Sequence, residues 1–358
     1  MTTIPDTMHG VQLVKYGSFE EALVYNEEIP TPKIKSKTQV LVRIKAASVN
    51  PIEAKVTSGN MKLATFAVGF PSIIGADFSG VIVAKGDKVT DFEVGDEVFG
   101  SQERPFGMDG VYAQYTVVET AGASIAKKPE ELSFEQAASA GIAVLTAYQA
   151  IVNYGRVTKD NAKEKRNILV VGASGGIGSY GIQIAKSINP ENSVIGICSE
   201  KNVEFVKSLG ADRVINYRDE ESYKSFLEEK IPFDIIFDCV GGDAYYKQLN
   251  PLLVKKGIYS TAVGPVEHAG SSYLGVADVL TLAGNIGYKK LFGCHHYAMV
   301  TGLPHNDFRT AIAPLFHSHK IRGTVYDDDS IFPLKEISKA FEKIWSHRAV
   351  GKIVISID

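Results

Sequence analysis

Between residues 167 and 263 the chain alternates strand-length apolar runs with helical stretches, and nothing else constrains its fold as strongly. The runs lie at 167–173, 193–199, 213–217, 233–240 and 257–263, with helices predicted between them at 176–187, 201–209, 221–229 and 245–255. Strands that are apolar along their whole length, and are joined through helices, form a parallel sheet buried on both faces. The expectation is a doubly wound α/β domain, whose ligands bind beyond the carboxyl ends of the strands.

The first of these strands, Ile168-Leu169-Val170-Val171, runs into Gly172-Ala173-Ser174-Gly175-Gly176-Ile177-Gly178 and then into a helix. A turn of such small residues lets the backbone approach a pyrophosphate closely, while the helix start offers free N–H groups and a positive dipole end. The spacing is Gly-x-x-Gly-x-x-Gly rather than the usual Gly-x-Gly-x-x-Gly. A glycine turn by itself also has purely structural explanations. This one follows a buried strand, opens a helix and is succeeded by further strand–helix steps, so it predicts dinucleotide binding through Gly172, Ser174, Gly175, Gly176, Ile177 and Gly178.

The second strand ends at Cys198-Ser199-Glu200-Lys201-Asn202. An acid near this point serves the ribose 2′-hydroxyl of NAD, and Glu200 is available for that. Ser199 and Lys201 flank it with the hydroxyl and ammonium that a 2′-phosphate needs, and Tyr217 ends the neighbouring strand. Together they favour NADPH; the alternative is a solvated helix start of mixed charge. Val240, Val263 and Gly264, at the ends of the fourth and fifth strands, complete the expected cofactor-binding set.

The flanks differ in character. Runs at 11–14, 39–47, 80–84 and 112–118, punctuated by Gly86-Asp87 and Gly95-Asp96, predict a partly open barrel or sandwich. Ser133-Phe134-Glu135-Gln136 is a capping-box start, and an alanine-rich helix is predicted from there to about Val152. After about His305 helices near 307–317 and 334–346 precede a last strand at 352–357. The chain therefore reads as a Rossmann domain at 141–299 inserted into a discontinuous β-rich catalytic domain made of 1–140 and 300–358.

A chain of 358 residues is too long for one ordinary core, and 45% hydrophobic with 22% charged residues is a globular composition. A net charge of −3 gives no broad attraction for nucleic acid or an anionic membrane. No apolar run approaches the roughly 20 residues of a membrane span. Residues 1–10 have neither a basic, apolar leader pattern nor an arginine, and there are three cysteines, Cys198, Cys239 and Cys294. A reducing, cytoplasmic setting is expected.

Several segments resemble the medium-chain dehydrogenase/reductase superfamily along nearly the whole chain. They are Ala46-Ala47-Ser48-Val49-Asn50-Pro51-Ile52-Glu53, Gly75-Ala76-Asp77-Phe78-Ser79-Gly80-Val81 and Val94-Gly95-Asp96-Glu97-Val98, then Leu145-Thr146-Ala147-Tyr148, the glycine turn, Leu209-Gly210-Ala211-Asp212 and Gly351-Lys352-Ile353-Val354. The likeness is to the zinc-free, zeta-crystallin-like quinone oxidoreductase and enone reductase branch. It implies a GroES-like catalytic domain, with Asn50 and Thr146 beside the nicotinamide and Ser199, Lys201 and Tyr217 on the 2′-phosphate. Bacterial-type quinone reductases carry a tyrosine where this chain has Lys55, and Asn-Pro-x-x-x-Lys looks more like enone and alkenal reductases. Members are commonly dimers through the edge of the nucleotide-domain sheet, which would put Tyr259, Val263 and residues 285–296 near an interface.

Zinc alcohol dehydrogenases of the superfamily use cysteine and histidine ligands and often add a four-cysteine lobe. Here Asn50 stands in the region of the first cysteine, Gly75-Ala76-Asp77 replaces Gly-His-Glu, and 101–110 contains no cysteine, so neither zinc is expected. His295-His296, the His317/His319 pair and Asp327-Asp328-Asp329 read as substrate-lining or solvated groups, and Cys198 and Cys239 as core fillers. Without a Lewis acid the substrate must spread its own developing charge. The expected activity is NADPH-dependent reduction of a quinone or of the C=C of an α,β-unsaturated carbonyl. Asn50, Lys55 and Thr146 form the catalytic set, with Lys55 as a proton source. The alternatives are a zinc-free aldehyde or ketone reductase and a non-catalytic NADPH-binding protein.

Overall fold

The computed structural model describes residues 4–63, 69–102, 109–122, 124–266, 272–302 and 305–358. Most of the 101–110 segment, where a structural zinc lobe would fall, lies outside them. The chain divides into two units: Thr146–Gly302 is one, and the chain on either side of it forms the other.

The first unit begins with β1 (Thr7–Leu13) paired antiparallel to β2 (Leu23–Pro30). Its main sheet is organised by β3 (Gln39–Val49), the longest strand, in which Val40, Val42, Ile44 and Val49 are fully buried. β4 (Asp77–Lys85) runs antiparallel along one side of it, followed outward by β5 (Glu97–Ser101). On the other side β3 pairs first with β6 (Tyr115–Glu119). β7 (Ser124–Lys127) pairs with β5. Two register shifts, between Leu41 and Val42 and between Ile44 and Ala46, bend β3 enough to give it different partners along its length.

The second unit is a six-stranded sheet in which every pairing is parallel. Its strands are β8 (Asn167–Val171), β9 (Ser193–Cys198), β10 (Arg213–Asn216), β11 (Phe233–Asp238), β12 (Leu253–Thr261) and β13 (His296–Met299). They lie in the order β10-β9-β8-β11-β12-β13. All four apolar residues of β8 after Asn167 are fully buried, as a strand with helices on both faces requires. The chain then completes the first sheet with β14 (Ile331–Pro333) and β15 (Ile353–Ser356), the latter antiparallel to the end of β3.

Three expectations are corrected. The single helix from Phe134 to Val152 is instead a short helix, Phe134–Ala138, then Gly141–Tyr148, then a π-helical turn, Gln149–Asn153. The break has a cause: the Asp77 carboxylate sits where a side chain on Gly141 would be, and its Oδ1 accepts from the Ile142 N–H at 2.8 Å. An acid thus caps a new helix start in mid-run. The helix expected at 245–255 spans Asp243–Leu249, because Pro251 cannot continue it, and the strand begins four residues earlier than expected, at Leu253. The outer strand of the sheet is β13, unforeseen along with the Val276–Phe292 helix before it, so Tyr259 is buried at 1% exposure and not at the edge. Among the described residues no helix is long and apolar enough to cross a membrane.

Candidate functional site

Two groups of predicted residues assemble, one in each unit. In the second unit the chain leaves β8 at Gly172, whose φ of +73° is a left-handed conformation that favours glycine. A Cβ on Gly178 would fall on the Gly172 carbonyl oxygen, so glycine there lets the helix start lie against the turn. Gly175 differs: its amide is tied to Gly172 O at 3.0 Å, and an added Cβ would meet nothing nearer than that oxygen at 3.4 Å. The turn is therefore open at Gly175, at the N-cap of the Gly176–Ile188 helix, whose first N–H groups have no intrahelical partner.

The other cofactor candidates surround this turn. Asn202 Nδ2 donates to Ser174 Oγ at 2.9 Å, and the Ala173 amide donates to Ile197 O at 3.0 Å, drawing the end of β9 to the turn. Val240 packs on Gly172, and Val263 and Gly264 lie against Gly241, whose neighbour Gly242 donates its N–H to Gly264 O at 3.0 Å. The Tyr217 amide reaches Cys198 O at 3.2 Å, so Ser199 and Tyr217 end adjacent strands. Ser199 is 8% exposed, whereas Lys201 and Tyr217 are open to solvent. Glu200, the candidate for an unphosphorylated ribose, instead accepts from Asn216 Nδ2 at 3.2 Å. Arg218 was not foreseen. Its guanidinium lies 5.7 Å from the Tyr217 ring centroid, and its Nε donates to the Tyr217 hydroxyl at 3.3 Å, adding a cation to the same strand end. Sequence alone could have flagged it only as the next basic residue after Tyr217.

In the first unit Asn50 caps the Pro51–Thr57 helix and is 4% exposed. Its Nδ2 donates to Asp77 Oδ2 at 2.9 Å and Glu53 Oε1 at 3.2 Å, and its backbone N–H donates to Glu53 Oε2. Lys352 Nζ donates to Asn50 Oδ1 at 2.6 Å, Val49 O at 3.2 Å and Asp77 Oδ2 at 3.3 Å. The Tyr112 hydroxyl lies 3.1 Å from Glu53 Oε2 and 3.3 Å from Ser48 O, and Ser48 Oγ donates to Asp77 Oδ2 at 3.1 Å. Glu53, Asp77, Tyr112 and Lys352 are the residues that sequence reasoning left without a role. Three of them stand inside the motif segments quoted above, yet nothing in those segments says they meet.

Burial, and then the neighbouring Asp77 charge, push Glu53 up to about 7, against the pull of Asn50 and Lys352. Burial alone brings Lys55, on the same helix, down to about 8. Burial likewise raises the Cys198 thiol to about 11 and the Cys239 thiol well above its ordinary range, which suits core fillers rather than nucleophiles. His296 is hydrogen-bonded to Arg156 at 3.0 Å and His317 lies 3.1 Å from Lys127 O. Among the described residues no three His, Cys, Asp or Glu side chains are grouped to hold a metal. Thr146, 3% exposed, belongs with the cofactor candidates to the second unit; Asn50 and Lys55 belong to the first.

This chain matches two family models, an alcohol dehydrogenase GroES-like domain over residues 36–130 and a zinc-binding dehydrogenase over 209–355. It is 34% identical over 359 residues to the mitochondrial NAD(P)H oxidoreductase RTN4IP1 of Mus musculus, across 96% of this chain and 87% of that protein. It is 30% identical to a chloroplastic quinone-oxidoreductase homolog of Spinacia oleracea, across 97% of this chain and 98% of that one. Its fold is similar to a quinone oxidoreductase from Coxiella burnetii, with a TM-score of 0.77 and 28% identity over 98% of this chain and 99% of that one. With its β-rich unit interrupted by a parallel-sheet Rossmann unit, the chain belongs to the medium-chain dehydrogenase/reductase superfamily, among the NAD(P)H and quinone oxidoreductases.

Proposed function

We propose that the protein reduces a quinone, or the C=C of an α,β-unsaturated carbonyl, with NADPH and without zinc. The observation that carries this reading is the buried Lys352 ammonium, held by Asn50 and Asp77 at 2.6 and 3.3 Å. Asn50 and Asp77 stand where the resemblance would put catalytic zinc ligands. Zinc does not fit this donor set: it offers no thiolate and no imidazole, and a cation already balances Asp77. A substrate whose conjugation spreads developing charge has less need of a Lewis acid.

The open backbone at Gly175 and the N–H groups of Gly176, Ile177 and Gly178 suit a pyrophosphate, and Ser199, Lys201, Tyr217 and Arg218 suit a 2′-phosphate. Glu200 faces Asn216, which favours the phosphorylated cofactor over NADH. When bound, NADPH supplies the hydride. Asn50 and Thr146 are assigned to the nicotinamide side, and Val240, Val263 and Gly264 to the adjoining wall of the cofactor site. Lys55, brought to about 8 by burial, can release and regain a proton near neutral pH, as a proton source for the reduced substrate must.

We also propose a homodimer. The Val276–Phe292 helix exposes Leu280, Tyr288, Leu291 and Phe292, and β13 is the outermost strand beside it. The free state of all three cysteines suits a reducing compartment such as the cytosol.

The decisive experiment compares NADPH and NADH oxidation with a quinone, an enone and the corresponding saturated ketone, with metal analysis of the same sample. Faster turnover of the conjugated substrates by metal-free protein is expected. Equal rates on enone and saturated ketone, or stoichiometric zinc, overturn the reading.

A further inference from the structure

Asn50 has two N–H donors and one carbonyl acceptor in its side chain. Both donors are taken inside the protein, by Asp77 Oδ2 and Glu53 Oε1, and the oxygen faces the Lys352 ammonium. The ammonium itself is fully engaged, with one bond each to Asn50, Val49 and Asp77, and is 4% exposed. Turning the amide over would set its NH2 group against the ammonium and its oxygen against two carboxyl groups. The surrounding charges therefore fix its orientation.

We infer that Lys352 is a positioning residue, which locks the Asn50 amide so that Asn50 meets a bound molecule as a hydrogen-bond acceptor and never as a donor. The inference rests on the reading above in taking Asn50 to be at the reaction site. It also selects what Asn50 can touch: an N–H, such as that of a carboxamide, or an O–H, such as that of a quinol. The oxygen of a quinone or enone must find its donor elsewhere. Glu53 belongs to the lock, and the titratable groups facing it are Asp77 from β4, Lys352 from the turn before β15 and Tyr112 from the segment before β6.

Lys352→Met alone leaves Asp77 buried without its cation, so the working variant is Lys352→Met with Asp77→Asn, beside Lys352→Arg. In the folded double variant kcat is expected to fall at least about tenfold while KM for NADPH changes less than about twofold, and Lys352→Arg to keep most of the activity. The single changes move the Glu53 titration, read from the pH dependence of thermal unfolding, in opposite directions: upward in Lys352→Met, where a nearby positive charge is lost, and downward in Asp77→Asn, where a negative one is lost. Unchanged kcat in the folded double variant overturns the inference, as do a Glu53 titration unmoved in both single variants and Lys352→Arg behaving like Lys352→Met.

A second readout does not depend on turnover. The side-chain amide protons of Asn50, identified by their loss in Asn50→Ala, are expected to exchange with water at least about tenfold faster in the double variant than in Asp77→Asn alone. Unchanged exchange overturns the lock even in a protein that reduces none of the substrates tried. Failure of the wild type on every quinone and enone, with exchange accelerated as expected, overturns the proposed function and leaves the lock standing.

Discussion

The two sites handle polarity in opposite ways. Around the glycine turn the functional groups are backbone N–H groups and solvent-exposed cations, with an open face at Gly175. Around Asn50 every polar group is turned inward on another: Glu53 and Asp77 are 0% exposed, and each proton of Lys352 has an acceptor. An open site binds by offering unused bonds; a closed one acts by holding one group still. Damage should follow the same division, costing stability in the closed cluster and cofactor affinity at the open one.

The largest effect that can break this comparison is on stability. Asp77→Ala removes one partner of a buried ion pair, a hydrogen-bond acceptor of Asn50 and Ser48, and a helix cap, and is expected to cost about 3–5 kcal/mol in chemical denaturation. A cost below about 1 kcal/mol would mean that the cluster is no more closed than the turn.

Lys55 supplies the next largest. As a proton source it acts protonated, so kcat should fall as pH rises through about 8, the value to which burial brings it. Lys55→Met should lose roughly 100-fold in kcat and show no such limb, as read from a pH–rate profile.

At the open site Arg218→Ala and Lys201→Ala should each raise KM for NADPH about tenfold while leaving NADH unaffected, which steady-state kinetics at two salt concentrations would check. An equal rise for NADH would remove both residues from the phosphate site.

The smallest effect concerns pH and stability. The Glu53 carboxyl is raised from 4.5 to about 7, so its folded form holds a proton more tightly than the unfolded chain does. Its contribution is complete below about 4.5 and is lost as pH rises through about 7. Between those values the midpoint of thermal unfolding should drift downward in the wild type, and drift less in Asp77→Asn, where the charge that helps raise Glu53 is gone.

The same contrast explains what the sequence let through. The glycine turn, the apolar strand before it and the residues ending the next two strands lie within about fifty positions of one another, and each has its own local signature. That Ser199 and Tyr217 would end neighbouring strands beside the Gly172–Gly178 turn was legible for that reason. The Asn50 cluster joins residues 27, 59 and up to 303 positions apart, by pairings of β3 with β4 and β15 that no local pattern announces. The broken helix after Ser133 was illegible on the same grounds, because its interruption is made by Asp77, more than sixty positions upstream. The Val276–Phe292 helix escaped notice differently. Gly284 and Gly287 weaken its local preference, and most of its apolar residues are exposed rather than arrayed on a buried stripe.

The cation beside Asn50 is carried by the chain itself, on a residue next to the last strand of the first sheet. A charge supplied this way arrives with translation, requires no loading, and cannot be stripped by a chelator or exchanged for a competing ion. It also arrives late: Lys352 follows Asn50 by 302 positions, so all of that intervening chain must be made before the lock around Asn50 can close.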